Sequence, residues 1–523
     1  MCGIAAIINP ETRDKKLIGP MLDKISHRGD SLPIHTEFGN SILGSVRLRI
    51  VDIDHGTQPF FNENETAGVV FNGEIYNYKE LRSELEQKGH IFKTDCDTEI
   101  LAHLYEEYGM QFIEMLEGMF AFLIFDKIKN EFYGVRDFFG VKPFFYLRKN
   151  DTVFISSEMK SFDGFDSGPV NELKPGHYLS NDGVFQYYKI PETKYVTDTI
   201  ETVAMKVREL LDAAVKKRVQ TDLPIAVFLS GGLDSSIVHL LCTKYNNNVT
   251  GIIIGEESSD DVIFAKRFCE ELDLKYCHVN SKKDELLENV PEIIYSVETF
   301  EPNVVRGSLL SMKLAKTAHD LGFKIAICGE GSDEVFGGYG DFLFIDPEKN
   351  ADEFQKKILA LLNDLYRTQL LRIDRTGMNY SLEIREPFLD RELVEFALNI
   401  QPKMKVAEDK NGQLTTKLIL REAFKDILPE YIYNRPKMTL LEGAGTGSVE
   451  KESGILYEFA GNRLSDKDSS EIIKNNPSYY LQNKEEAYCF DLFYRHYSNA
   501  EFAAQRVIHA KKEIPKSPDL TKN

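Results

Sequence analysis

The chain has 523 residues, 42% of them hydrophobic and 28% charged, with a net charge of −20. That length exceeds one ordinary core, and the composition is that of a globular protein of two or more domains. The acidic balance excludes nucleic-acid binding driven by phosphate neutralisation, no apolar run is long enough to span a bilayer, and seven scattered cysteines with neither zinc spacing nor a disulfide framework fit a reducing, cytoplasmic setting.

The chain opens MCGIAAII. If Met1 is removed, Cys2 carries a thiol and a free α-amine on one carbon, and the amine can serve as the thiol's general base. The run IAAII is short and has no basic lead-in, so no signal peptide is expected. Apolar runs of strand length follow: SILGSVRLRIVDI, AGVVFNGEI, MFAFLIFDK, EFYGVRD, FFYLRK and TVFISSE. Two helical patterns interrupt them, KELRSELEQKG, closed by a capping glycine, and DTEILAHLYEEYGMQFIEML. Strands in adjacent runs favour antiparallel pairing, so an α+β first domain is expected. Asn72 and Gly73 can together hydrogen-bond an oxyanion, although an Asn-Gly pair is ordinarily a hairpin turn. Arg47 offers a fork for a carboxylate. Asp97 offers a carboxylate for an ammonium group.

Near YYKIPETKYVTDTIETV the composition changes. We place a linker at about residues 191–203, which gives domains of 1–193 and 204–523. TVAMKVRELLDAAVKKRV reads as an amphipathic helix. LPIAVFLSGGLDSSIVHLLCTKY reads as strand, glycine loop and helix, and VTGIIIG and KIAICGEGSDEVFGG repeat the pattern. Strands alternating with helices predict a doubly wound parallel sheet. In FLSGGLDSS, Gly231 and Gly232 let the backbone turn tightly after Ser230, and Ser235 and Ser236 open a helix whose free N–H groups face an anion. The Walker lysine is absent; Asp234 suits a magnesium ion bridging to phosphates. Beyond residue 350 the pattern is mostly helical. RLSDKDSSEIIKNNPSYY reads equally as a loop or a lid, and KKEIPKSPDLTKN as a frayed tail.

The ordered set MCGI, HRGD, RLRIVD, FNGEIYN, TDCDTE, GMFAF and RDFFGVKPFFY resembles the class II glutamine amidotransferase domain, an N-terminal-nucleophile sandwich of antiparallel sheets between helices. The resemblance implies that Cys2 is the nucleophile, that Asn72 and Gly73 form the oxyanion hole, and that Arg47, Glu74 and Asp97 hold the glutamine backbone groups. HRGD lacks the proline of the family's H-R-G-P-D, which puts the shape of the loop over the glutamine pocket in question.

SGGLDSS resembles the loop of enzymes that split ATP to AMP and pyrophosphate. Taken with CGEGSDEVFGGY, ETFEPNVVRGS, EIREPFLD and NRPKMTLLEGAGTGS, the order and length resemble glutamine-hydrolysing asparagine synthetase. The resemblance implies ATP and Mg2+ as cofactors. It implies that Ser230, Gly231, Gly232, Asp234, Ser235, Ser236 and Gly329 bind ATP and pyrophosphate, that Asp234 and Asp333 are metal ligands, and that Glu330 binds or deprotonates the incoming amine. Lys437 and Arg306 are assigned to the charge of the leaving pyrophosphate, and Arg385 is among the matched residues. Glutamine, ATP and aspartate are the implied substrates, and a homodimer the common assembly. The family's R-x-K-E-Q-F-S-D-G-V-G is replaced here by RPKMTLLEGAG. The pattern K-x-x-x-x-E-G-x-G-T is closer to the β-lactam synthetase branch, but that branch lacks Cys2 and has tyrosine at the position of Glu330. The alternative is a same-fold amide ligase acting on another carboxylate; a non-enzymatic scaffold ranks last.

Overall fold

The computed structural model describes residues 1–165, 168–408, 414–447 and 454–497. The polar stretch from 511 onward lies outside them.

The first half is two antiparallel sheets face to face. One holds β1 (Cys2–Ile8), β2 (Ile34–Phe38), β3 (Ser41–Arg47), β8 (Phe145–Lys149), β9 (Thr152–Ser156) and β10 (Asn171–Glu172), in the order β10-β8-β9-β1-β3-β2. The other holds β4 (Phe60–Phe61), β5 (Ala67–Ile75), β6 (Gly118–Asp126), β7 (Glu131–Arg136), β11 (His177–Ser180) and β12 (Gly183–Gln186), in the order β12-β11-β7-β6-β5-β4. Alternation sorts each strand between two layers. Ile4, Ala6 and Ile8 fill the sandwich with Leu43, Val70, Leu123 and Phe125. Ala5 and Ile7 point the other way, onto Met21 and Leu22 of the helix Ile18–Lys24. That outer layer continues into Ile293, Ile294 and Val305 of the second half, so the two halves share buried apolar contact.

Between Gln186 and Ile200 the chain is extended and tied down by Gln355 Nε2 to Thr193 Oγ1 (2.9 Å) and Val196 N to Asn399 O (2.8 Å). The helix Ile200–Arg218 follows, its first turn capped by Thr199. The second half is built on a parallel sheet of β13 (Ile225–Phe228), β14 (Val249–Ile254), β15 (Tyr276–Val279), β16 (Ile325–Ile327) and β17 (Glu383–Arg385), ordered β15-β14-β13-β16-β17. The strand order reverses between β13 and β16. The carboxyl ends of strands flanking such a reversal open onto a crevice, the usual ligand position in open α/β sheets. SGGLDSS follows β13 and CGEGSDE follows β16. The sequence RLSDKDSSEIIKNNPSYY forms the helix Asp466–Asn475, capped by Ser465, and a short turn at Pro477–Tyr479.

Candidate active site

β1 is central in its sheet and pairs with β3 so that Cys2 lies opposite Arg47. Gln58 is fixed to β5 by two hydrogen bonds with Phe71 (3.0 and 2.7 Å) and donates to Cys2 Sγ at 3.5 Å. Burial pushes the Cys2 thiol up, opposed by the chain's terminal ammonium and by Arg47. The Cys2 backbone N donates to Asn72 Oδ1 at 3.1 Å, which leaves Asn72 Nδ2 a buried donor without a partner. Asn72 and Gly73 lie inside β5, opposite Ala121 and Phe120, and form no hairpin turn. A Cβ on Gly73 would stand 2.1 Å from Met119 O, so only glycine fits there. The Arg47 guanidinium is held by the carbonyls of Val51, Asp52 and Ile53 (2.7, 2.5 and 3.2 Å) and, among the described residues, by no carboxylate. Its fixed positive charge beside Cys2 suits a substrate carboxylate.

The shortened HRGD loop is well anchored. Asp30 N donates to Arg47 O (3.0 Å), Arg47 N donates to Ser31 Oγ (2.9 Å), and Asp30 pairs with Lys324 of the second half (2.6 Å). Arg28, fully buried, donates to Cys2 O (3.2 Å) and pairs with Glu158 (2.6 Å) and Asp374 (2.9 Å).

Met1 is buried, and its ammonium meets Glu383 Oε2 at 2.6 Å. Glu74 and Asp97 belong to the same electrostatic cluster. Burial and the neighbouring Glu383 raise the Glu74 carboxyl, and burial pushes Asp97 up to about 6, with Ile75 N (3.0 Å) pulling the other way. A pocket of carboxylates around one ammonium suits the α-ammonium of an amino acid. Arg385, next along β17, bridges Glu74 (3.2 Å) and Glu383 (2.6 Å). Thus Arg385 sits with Glu74 and the buried carboxylates around the Met1 ammonium. A narrow cavity abuts this seam, lined by Tyr76, Met119, Phe138, Arg218, Glu386 and Leu389. Tyr76 Oη and Arg218 Nε are buried there without hydrogen-bond partners.

At the strand-order reversal, Gly231 adopts φ +66°, and a Cβ there would lie 2.5 Å from Ala265 N. The helix Leu233–Tyr245 begins immediately after, with Gly232 as its cap. Ser230 and Ser235 hydroxyls meet at 3.2 Å, and Ser236 Oγ is buried without a partner. Ser332 donates to Asp234 (2.9 Å) across the gap, and Gly329 packs on the Asp234 side chain, which a Cβ would approach to 3.0 Å. Asp234 and Asp333 converge so closely that the Lys417 ammonium touches both, at 2.5 and 2.6 Å. Lys437 contacts the other oxygen of Asp333 at 2.6 Å. Both lysines, after burial is set against them, hold Asp333 well below the usual carboxylate range. Glu330 faces the same crevice and is held by Arg372 (2.5 Å).

Arg306 departs from its expected place. It is buried on the helix Pro302–Asp320 and paired with Glu485 (2.5 Å), with Nη1 on Asn303 Oδ1 (3.0 Å). Arg435 lies at the loop instead, donating to Ser230 O (2.7 Å) and pairing with Asp261 (2.6 Å). Lys417, Arg372 and Gln58 escape sequence reasoning because none belongs to a local motif, whereas Glu383 and Arg435 lie within the motifs EIREPFLD and NRPKMTLLEGAGTGS without being singled out there. In the tract after Lys437, the glycines are fixed by packing: Cβ atoms would stand 2.3 Å from Asp261 at Gly443 and 2.9 Å from Ser259 at Gly445. Leu441 is buried and Met438 partly exposed.

The family described as "Glutamine amidotransferase domain" matches residues 1–223, and that described as "Asparagine synthase" matches residues 206–348 and 341–505. The chain is 32% identical over 520 residues to "Asparagine synthetase [glutamine-hydrolyzing] 1" of Arabidopsis thaliana, covering 95% of this chain and 86% of that protein. Against "Asparagine synthetase [glutamine-hydrolyzing]" of Sandersonia aurantiaca the identity is 34% over 470 residues, covering 86% and 88%. With both family matches in order along one chain, and similarity extending over nearly the whole of these relatives, the protein belongs to the glutamine-hydrolysing asparagine synthetase family.

Proposed function

We propose that the chain converts aspartate to asparagine, with glutamine as nitrogen donor and ATP as activator. One observation carries the reading. Cys2 and the buried amide of Asn72 lie in one half and the glycine loop after β13 in the other, and Glu383 and Arg385, on a strand of the sheet that carries that loop, pair with the Met1 ammonium and Glu74.

The Cys2 thiol attacks the carboxamide carbon of glutamine. The α-amine that Met1 removal exposes takes the thiol proton and passes it to the departing nitrogen, releasing ammonia. Asn72 Nδ2 and Gly73 N–H hold the oxyanion, Arg47 holds the substrate carboxylate, and Glu74 and Asp97 hold its ammonium. Water then hydrolyses the thioester to glutamate. In the second half the β-carboxylate of aspartate attacks the α-phosphorus of ATP, pyrophosphate leaves, and ammonia displaces AMP from the acyl-adenylate. Ser230 to Ser236 cradle the phosphates, Lys437, Lys417 and Arg435 offset their charge, and Glu330 takes the proton of the attacking amine. The Asp234 and Asp333 oxygens are hard donors close enough for one cation to touch both, which fits Mg2+; Mg2+ would supply charge neutralisation on the phosphates. Passage of neutral ammonia along the seam is supported by the adjoining cavity and its unpaired Tyr76 and Arg218 atoms.

The test is acceptor-dependent pyrophosphate release from MgATP with glutamine and aspartate, repeated for Cys2→Ala with ammonia. Expected are asparagine from the native protein and ammonia-only synthesis by the variant. Silence with aspartate, but release with another carboxylate, would favour the second reading. That reading draws on the altered tract Met438–Leu441, which leaves the chemistry unchanged and moves the acceptor.

A further inference from the structure

Away from both sites, Glu63, His90, His103 and Glu106 place one ligand-capable atom each within 4.8 Å of one another. They come from separate pieces of chain. Glu63 lies in the turn between β4 and β5, and His90 follows the helix Tyr78–Gln87. His103 and Glu106 are one turn apart on the helix Ile100–Tyr108.

The two imidazoles turn the same atom inward. His90 Nδ1 and His103 Nδ1 are 3.3 Å apart. Glu63 closes the triangle, Oε1 at 3.2 Å from His90 Nδ1 and Oε2 at 3.1 Å from His103 Nδ1. Ligands at about 2.0–2.1 Å from a tetrahedral zinc stand about 3.3 Å apart. His90 Nε2 faces Glu107 Oε2 at 3.5 Å, and His103 Nε2, buried, has Glu99 Oε1 at 3.9 Å. The Glu107 carboxylate outside His90 favours Nε2–H on that ring, the arrangement seen behind metal-bound histidines, while His103 Nε2 has no hydrogen-bond partner among the described residues. With Nε2–H on both rings, the inner Nδ1 atoms present lone pairs to each other and to a carboxylate, an arrangement that a cation at its centre would satisfy.

The surroundings hold the ligands still. Ile91 N donates to Glu63 Oε1 (2.8 Å), and Asn62 Nδ2 donates to Glu106 Oε2 (2.7 Å). Asn62 is itself fixed by Thr66 N and Ala67 N (2.8 and 3.0 Å). The Phe92 ring lies 4.4 Å from the His103 ring and walls one side. Glu106 is exposed and opens the cluster to solvent. Two neutral imidazoles and two carboxylates balance a divalent charge.

We propose that Glu63, His90, His103 and Glu106 form a binding site for a divalent transition ion of the zinc class, joining the β4–β5 turn to the two helices on either side of the segment that carries Asp97. Imidazole with carboxylate selects such ions over Mg2+ or Ca2+.

The test uses the full chain, stripped with chelator and titrated with Co2+ and then Zn2+. Expected is one equivalent of Co2+ with the intense visible bands of a four-coordinate N/O site, displaced by Zn2+. Cobalt on Asp234 and Asp333 would be pale and six-coordinate, and cobalt on Cys2 would add a sulfur charge-transfer band, so neither can imitate it. His90→Gln and Glu63→Gln are expected to weaken binding at least about a hundredfold. Native protein showing only pale bands, or variants retaining the intense bands, would overturn the site. The native titration decides by itself if a variant fails to fold.

Discussion

Asn72 Nδ2 is buried and has no partner, although its own Oδ1 is engaged by the Cys2 backbone. A donor desolvated in advance costs the ground state and is repaid only when an oxyanion forms beside it. Asn72→Ala is therefore expected to lower glutaminase kcat by about 10²–10³, some 3–4 kcal/mol, and to leave ammonia-dependent synthesis intact; loss of both activities together would refute the assignment. Lys417→Met is expected to do the reverse. It leaves Asp234 and Asp333 facing each other without their shared ammonium, so ATP-dependent pyrophosphate release falls while glutamine hydrolysis survives. Of the two substituted positions, Asn72 was legible in the sequence, because it sits with Gly73 in a local motif, and Lys417 was not. Lys417 enters the site through a left-handed turn at φ +56° that precedes the helix Leu418–Phe424, a placement no local pattern encodes. Arg306 was misplaced for the complementary reason. A cation's spacing says nothing about its partner, and Glu485 lies 179 residues further on.

The loop proposed to hold phosphate turns on Gly231, which takes a conformation that side chains resist. At φ +66°, with Ala265 N in the way, Gly231→Ala is expected to destabilise the fold by about 1–3 kcal/mol and to abolish pyrophosphate release; denaturant midpoints and a release assay read the two effects separately. Long strands such as β5 and β6 were legible as apolar runs, and the helix Ile200–Arg218 from its periodicity. The short ones were not. β17 is the three residues Glu383–Arg385, two of them charged, and β2 is mostly exposed with polar residues between its apolar ones. Neither burial period nor composition marks such strands; each exists because a neighbouring strand supplies its hydrogen bonds. The Asn-Gly pair, ordinarily a turn signal, stands in the strand interior of β5, where Gly73 lies against Met119 O too closely for a side chain.

Across the whole molecule, the halves meet through buried charge as well as apolar contact. Arg28 joins Glu158 of the first half to Asp374 of the second. Arg28→Met leaves two carboxylates buried without it, and is expected to cost about 3–5 kcal/mol in unfolding free energy. Glu386 is a second case. Burial first, with help from Asp374 and Asp137, pushes its carboxyl up to about 7, against the pull of Lys142 and Arg218. The folded state thus binds this proton more tightly than the unfolded chain, where glutamate titrates near about 4.3. Its contribution is complete below that value and is lost as pH rises toward about 7, on the order of 3 kcal/mol in all. Glu386→Gln is expected to flatten the decline of stability between about pH 4 and pH 7, measured by chemical denaturation; an unchanged slope would count against a protonated Glu386. The two-part architecture was legible from the switch between adjacent strands and strands alternating with helices. The seam was not, because its partners are far apart in sequence.

The burial of Met1 fixes an order of events during synthesis. In a chain that still carries it, the first residue lies 2% exposed with its ammonium on Glu383, beyond the reach of an aminopeptidase once the halves have closed. With Cys2 as the proposed nucleophile, trimming is expected while the nascent chain is open, and a molecule that folds untrimmed is expected to use free ammonia alone. In a preparation made faster than the trimming enzyme can work, the fraction of chains retaining Met1 by intact mass should equal the fraction deaf to glutamine.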